Sequence, residues 1–251
     1  MQITGNTILI TGGNAGIGRG LAEAFHQAGN QIIIAGRNQK SLDETVTANP
    51  GMVALRFDAQ DAAGIRPFTE RVLTEHPELN VLINNAGIMR AENLLNQSED
   101  LADMEAIIAT NLLAPLRLTA ALLPHLQQQE RATVINVSSG LAFVPLAMTP
   151  TYCATKAAIH SYSQSLRFQL RDTNIQVIEL APPAVATQLM PGSSSNPHAM
   201  PLDAFIAESM GLLASRPDAP EICVEQVQLL RGAEKRGEFD QVFTTLNQNR
   251  S

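Results

Sequence analysis

Six short runs of the chain are apolar at nearly every position rather than at alternate ones: TILIT (7–11), QIIIA (31–35), MVALRF (52–57), NVLINN (80–85), ATVINVS (132–138) and IQVIELA (175–181). A strand with one face in water alternates apolar and polar residues, so continuous runs of this length predict strands covered on both faces, as in a parallel sheet. Between them lie stretches 16–28, 39–48, 64–75, 99–129 and 151–171, long enough for the crossover helices that parallel neighbours require. This alternation predicts a doubly wound α/β sheet of six to seven strands with right-handed crossovers. Ligands of such sheets sit beyond the carboxyl ends of the strands, so the residues after each run carry the chemistry.

The first run leads into TGGNAGIG, residues 11–18. Gly12 permits a tight turn, Gly16 lets backbone approach a pyrophosphate, and Gly18 lets the next helix pack against the strand, with Asn14 and Ile17 between them. This turn follows a strand and opens a helix, the context in which it binds a nucleotide. The second run ends AGRN, where neutral Gly36 and cationic Arg37 suit a 2′-phosphate better than a free ribose hydroxyl, although Arg37 also reads as a solvated surface arginine. Asp58, after the third run, is placed to accept from an adenine amino group or to cap its own loop. Asn85, Ala86 and Gly87 in NNAG line a cofactor ribose or stabilise a turn. The fifth run ends NVSSG, and Ser139 stands thirteen residues before Tyr152 of TYCATKAAIH. In a helix, Tyr152 and Lys156 lie one turn apart on one face.

Length and composition narrow the classes. A chain of 251 residues without linker or repeat suits one large α/β domain over 1–251. A formal charge of −7 with no basic stripe argues against nucleic acid or an anionic membrane as partner. The start, MQITGNTILITGG, has neither a basic n-region nor a long apolar run. Two cysteines, Cys153 and Cys223, make no disulfide framework, which points to a reducing, cytoplasmic setting. His26, His76, His125, His160 and His198 show no paired ligand spacing, so no metal site is expected.

TGxxxGxG, NNAG, a mid-chain asparagine and a serine thirteen residues before YxxxK, in that order, resemble the short-chain dehydrogenase/reductase family over roughly residues 5–190. The resemblance implies a Rossmann-type fold, NADP(H) or NAD(H) as cofactor, and a small-molecule carbonyl or alcohol substrate. It implies a catalytic set of Asn111, Ser139, Tyr152 and Lys156. Tyr152 would exchange the proton of the carbonyl or alcohol oxygen, Ser139 would hold that oxygen, and Lys156 would favour the phenolate and reach the nicotinamide ribose. Asn111 would hold a water that links Lys156 to solvent. Relatives pair the long helices as homodimers or homotetramers, which is the expectation for 99–129 and 151–171.

The chain departs from that family after the sixth run. APPAVATQLM has Pro182 followed by Pro183, where a glycine is usual, and keeps Thr187 to contact the carboxamide. Residues 188–213 are expected to form a substrate loop or lid with a helical continuation. Residues 218–251 form an extension with EICV as an edge strand, an amphipathic helix through Val227, Leu230 and Ala233, and a last helix around Phe239, Val242, Phe243 and Leu246. This tail resembles a bacterial branch named for its association with D-alanylation loci. Leu189, Met190, Met200, Leu202 and Phe205 on one side, and Leu141, Phe143, Val144 and Leu146 opposite, predict an apolar, adaptable pocket, with no arginine or lysine between 172 and 215. The competing reading places those residues in the core around a polar pocket. The expected activity is an NADP(H)-preferring carbonyl reductase or alcohol dehydrogenase. The alternatives are a dinucleotide sensor without turnover and an epimerase or dehydratase on the same fold.

Overall fold

The computed structural model describes residues 1–96, 100–190 and 196–248. Strands β1 (Thr7–Thr11), β2 (Gln31–Gly36), β3 (Val53–Arg56), β4 (Val81–Asn84), β5 (Ala132–Val137), β6 (Ile175–Leu180) and β7 (Glu221–Ile222) form one sheet. Their order is β3-β2-β1-β4-β5-β6-β7, and every neighbouring pair is parallel. The order reverses direction at β1, between β2 and β4. That reversal opens the crevice where doubly wound sheets bind ligands.

Continuous apolar runs occur because both faces of the sheet are covered. Ile8, Ile10, Ile32, Ile34 and Val81 share a cluster with Leu21, Phe25 and Phe205. The alternate positions Leu9, Ile33, Leu82, Val134 and Val177 share another with Phe68, Val72, Leu118, Leu122 and Leu166. The first cluster draws on helices α1 (Gly16–Gln27), α2 (Gln39–Ala48) and α7 (Leu202–Ser215). The second draws on α3 (Ile65–Glu75), α5 (Ala114–Leu126) and α6 (Pro150–Gln169). The two-residue period of a strand thus sorts the side chains to opposite faces.

Two predicted helices differ in the structure. The stretch expected as one helix over 99–129 begins, within the described residues, as α4 (Ala102–Ile108) and ends as α5, with a π-helical turn at Ala109–Leu113 between them. Pro115 has no N–H to give the carbonyl four residues back, that of Asn111, so the ladder widens there. The run Ala102–Leu126 is long and apolar enough to cross a membrane. Here it serves as a core helix, burying Ile107, Leu118, Leu122 and Leu126. The second difference lies in the extension. The helix expected through Val227, Leu230 and Ala233 is a 3-10 turn at Glu225–Val227 followed by the four residues of α8 (Gln228–Arg231). Gly232 caps its end, and Gly237, at φ +71, closes the turn that leads to the last helix. The last helix, α9 (Phe239–Gln248), packs Val242 with Val144 and Ala233.

Phe205 on α7 is fully buried between that helix and the sheet. Phe205→Ala should lower the unfolding free energy by about 3–5 kcal/mol, read from urea denaturation at constant protein concentration. A loss under about 1 kcal/mol would contradict this packing.

Candidate active site

The carboxyl ends of the strands open into one cleft of about 1870 Å³. It gathers Gly12, Asn14, Gly16, Ile17, Gly18, Arg37, Asp58, Asn85, Ala86, Gly87, Ser139, Tyr152, Lys156, Pro182 and Thr187. These residues span most of the chain, and parallel strands bring them together because each element after a strand starts at the same edge. Of the catalytic and cofactor residues expected from sequence, Asn111 alone stands behind the wall, with Thr110 lining the cleft.

The glycine turn is held from β4. Thr11 Oγ1 accepts from the backbone N–H of Asn85 and Ala86, both at 3.0 Å, and the Asn85 amide donates to Thr11 O at 2.9 Å. The Asn85 side chain therefore holds the turn, and the backbone of NNAG faces the cleft. Gly12 has φ +67, a conformation that a side chain disfavours. A Cβ on Gly18 would lie 2.2 Å from Gly12 O, so only glycine lets α1 start this close to the strand. The N-cap of α1, Ala15, has no side-chain cap, which leaves the first N–H groups of the helix for an anion in the cleft. These features fit the pyrophosphate of a dinucleotide.

Farther out, Asn14 Nδ2 donates to Ser41 Oγ at 2.5 Å, tying the turn to α2. Arg37 is exposed at the cleft edge and makes no ion pair among the described residues. Asp58, also exposed, accepts from the N–H of Gln60 at 3.0 Å. It therefore caps its own loop while facing the cleft.

Tyr152 and Lys156 lie on α6, both buried. Glu92 fixes the start of that helix by accepting from the Thr151 N–H at 3.0 Å and the Thr151 hydroxyl at 2.6 Å. The Tyr152 ring packs with Ile107, Leu146 and Cys153, and Ile88, Met89, Leu141, Met148 and Leu246 pack around that group. Burial pushes the Tyr152 phenol up to about 12, against which a hydrogen bond with Ser139 works downward. Lys156 Nζ lies 5.6 Å from the ring centroid and donates to Val137 O at 2.7 Å. Burial lowers its ammonium to about 8, and the Glu179 carboxylate opposes that shift. The lysine was expected to set the tyrosine's acidity, but burial is the larger influence on both groups. Cys153 is a buried filler whose sulfur meets the Leu146 N–H at 3.3 Å, and burial raises its thiol.

Asn111 sits within the π turn. Its Oδ1 accepts from the Ile88 N–H and its Nδ2 donates to Ile88 O, both at 2.9 Å, with Thr155 Oγ1 at 3.3 Å. A Cβ on Gly87 would stand 3.5 Å from Asn111 Oδ1 and 3.8 Å from Lys156 Nζ, so both groups face the space beside Gly87.

The apolar walls agree only in part with the sequence expectation. Leu141, Leu146, Leu189, Met190 and Leu202 line the cleft. Phe143 instead meets the His160 ring at 4.9 Å and Arg231 at 4.6 Å, while Val144 and Phe205 are core and Met200 pairs with Val185. The extension supplies what they do not: Leu229, Leu230, Val242 and Leu246 face the cleft. Asn247 holds α9 there, accepting from the Ala147 N–H at 2.6 Å. The loop after β6 is fixed at its base by the N–H of Ala186 to Met200 O at 2.9 Å and of Met200 to Ala184 O at 2.8 Å. Residues 191–195 of the expected substrate loop lie outside the described residues.

Behind the cleft is a polar cluster that sequence reasoning passed over. Glu179 on β6 bonds Ser138 and His160, and Glu221 pairs with Arg231 at 2.8 and 3.1 Å. Donor atoms of His160, Glu179 and Glu221 lie within 4.8 Å of one another, a grouping that histidine spacing along the chain did not show. Those atoms are engaged with Ser138, Gln164 and Arg231. One glutamate inside the apolar run IQVIELA was the available signal.

Comparison with known proteins places this geometry. The profile of the short chain dehydrogenase family matches residues 6–197. The uncharacterized oxidoreductase DltE of Bacillus subtilis (strain 168) is 40% identical over 251 residues, covering 98% of both chains. A short chain dehydrogenase/reductase from Burkholderia phymatum, solved in complex with NAD, has a TM-score of 0.81 at 20% identity and covers 96% of each chain. A short chain dehydrogenase from Burkholderia cenocepacia J2315, solved in complex with NADP, also has a TM-score of 0.81, at 23% identity, covering 96% of this chain and 99% of its own. At such identities the two structures share the fold.

The lysine shift carries a stability signature. The unfolded chain keeps Lys156 protonated up to its ordinary 10.5, whereas the folded chain releases that proton at about 8. Between those values the unfolded state binds more protons, so this group makes folding more favourable as pH rises. Tyr152 acts in the opposite direction from its ordinary 10.0 to about 12. Relative to Lys156→Met, the wild-type unfolding free energy should therefore gain roughly 3 kcal/mol between pH 8 and 10.5 in urea titrations. Parallel curves for the two proteins would show that the ammonium is not destabilised by burial.

Proposed function

Because this chain belongs to the short chain dehydrogenase family, we propose that it is an NADP(H)-preferring oxidoreductase acting on an apolar ketone or aldehyde and the matching alcohol. The observation that carries the reading is the convergence of Ser139, Tyr152 and Lys156 with the glycine turn on one cleft. Gly12, Gly16, Ile17, Gly18 and the open start of α1 would hold the pyrophosphate, with Asn14 supporting the turn. Arg37 would pair with a 2′-phosphate and Asp58 would meet the adenine end. Backbone at Asn85, Ala86 and Gly87, with Lys156, would line the nicotinamide ribose, and Pro182 and Thr187 would flank the carboxamide. The bound cofactor supplies hydride chemistry.

The chain's own residues handle the proton and the oxygen. Ser139 and Tyr152 both line the cleft and would both meet the carbonyl oxygen. The buried phenol keeps its proton at neutral pH, the form that carbonyl reduction requires of an acid. The Lys156 ammonium lowers the cost of the phenolate left behind. Asn111 and Lys156 face the space beside Gly87, which suits a water passing the proton onward.

The substrate half of the cleft is walled by Leu141, Leu146, Met148, Leu189, Met190, Leu202, Leu230, Val242 and Leu246, interspersed with the polar Gln188, Asn196, His198, Glu238, Gln241 and Thr245. Such a wall offers a carboxylate or phosphate no fixed cation. Methionine and leucine on loops and a C-terminal helix adapt to several shapes, which favours a broad substrate range. The free thiols of Cys153 and Cys223 suit a reducing cytoplasm.

A panel of ketones, aldehydes, keto acids and sugars with NADPH and NADH tests this reading. Turnover of apolar carbonyls with NADPH is the expected result, whereas NADH preference would remove the role given to Arg37, and turnover confined to charged substrates would remove the apolar pocket. Tyr152→Phe should bind NADPH with nearly unchanged affinity and lose about 100-fold or more in turnover. Retention of a tenth of the wild-type rate would exclude Tyr152 as the acid. Phe168 on α6 is 67% exposed and Leu113 in the π turn 36% exposed, outward apolar positions that fit a homodimer or homotetramer built on the long helices. Light scattering at micromolar concentration should give at least twice the chain mass of 27.0 kDa, and a monomer would refute that assembly.

A further inference from the structure

Strand β6 carries one charged side chain that no water reaches. Glu179 is fully buried among Val177, Ile178 and Leu180, a placement that is costly for a carboxylate and that an apolar residue would relieve. Its two oxygens have separate donors, Ser138 Oγ at 2.5 Å and His160 Nδ1 at 2.7 Å. The Gln164 amide faces the other ring nitrogen of His160 at 3.1 Å, so a neutral imidazole satisfies both contacts and leaves the charge of the carboxylate unmatched.

The cluster borders the reacting residues on three sides. Ser138 directly precedes Ser139, and His160 lies one turn beyond Lys156 on the same face of α6. Lys156 Nζ is anchored on Val137 O, and Val137 pairs with Leu180 while Asn136 pairs with Glu179. The lysine's anchor and the carboxylate therefore sit on adjacent strands. Other charged neighbours are already engaged. Arg231 closes on Glu221, and Arg167 donates to Val177 O at 2.9 Å and Pro220 O at 2.7 Å. The Cys223 thiol is pushed up to about 12 by burial and by Glu221, so it carries no charge at neutral pH. Glu179 in turn raises the Lys156 ammonium against burial.

We propose that Glu179 is a positioning residue for the Tyr152–Lys156 pair: its carboxylate, held by Ser138 and His160, is the counter-charge that keeps Lys156 an ammonium at working pH. The proposal rests on reading Tyr152 and Lys156 as the proton-transfer pair. Two measurements keep the two ideas apart. The first follows the 13Cε resonance of Lys156, assigned by its loss in Lys156→Met, from pH 6 to 11 in the full-length protein without substrate. Glu179→Gln keeps the shape and deletes the charge, and it should lower the Lys156 midpoint by about one unit. The second is the pH profile of kcat/KM for NADPH-dependent reduction of the best panel substrate, whose alkaline limb should move down by the same amount.

A midpoint that stays in place in folded Glu179→Gln overturns the counter-charge. A midpoint that moves while the alkaline limb does not overturns the reaction role and faults the proton-transfer reading instead. Glu179→Met, apolar and of similar length, repeats the test if the amide is not accommodated. Failure of both variants to fold, while Lys156→Met folds, would overturn the proposal by assigning Glu179 to the fold.

Discussion

A lysine ammonium buried at the carboxyl end of a sheet has to be stabilised by the groups around it, and much of the architecture near the cleft can be understood as the means. Its anchor is a backbone carbonyl at the end of β5, available because a strand's last carbonyl points beyond the ladder. Beside it on β6 stands a carboxylate, and in front of it the open face of Gly87. None of these is near Lys156 in sequence. Parallel pairing of β4, β5 and β6 brings them side by side, so the charge depends on the register of three strands and on the seating of α6 against them.

The two halves of the cleft are built by different physics. On the β1 side, backbone and small residues dominate: a glycine turn, a helix start without a side-chain cap, and the Thr11 hydroxyl binding two N–H groups of the NNAG segment. Little there is adjustable, because even a single Cβ on Gly18 would lie 2.2 Å from Gly12 O. On the far side the walls are side chains on loops and on α9, held by a few contacts such as Asn247 with the 145–147 segment. The rigid half suits one invariant ligand, and the looser half suits a variable one.

Legibility followed the same division. The glycine turn, NNAG and the Ser139, Tyr152, Lys156 spacing are local patterns whose residue types are demanded by backbone conformation or by one helical turn, so they could be read before any coordinates. The apolar wall was less legible. Leucine, phenylalanine and valine look alike in a sequence whether they face a cleft or a core, and Phe143, Val144, Met200 and Phe205 went to the core or to neighbouring strands and rings. The extension was misread for a related reason: Val227 joins the main core, Ala233 packs with Val144 and Val242, and Leu230 lines the cleft, because a 3-10 turn and a four-residue helix stand where one continuous helix was expected.

The sequence by itself determined the strand runs, their parallel pairing and the position of the chemistry after each strand, because continuous apolarity and glycine placement are constraints on local backbone and on burial of both sheet faces. Only the tertiary structure decided which of the apolar residues meet the cleft, that Asn111 stands behind its wall in a π turn, and that Glu179, Ser138 and His160 converge on the strand beside Lys156. Those outcomes depend on side-chain direction across strands and helices far apart in the chain, and burial energies of apolar residues are nearly the same whichever neighbour covers them.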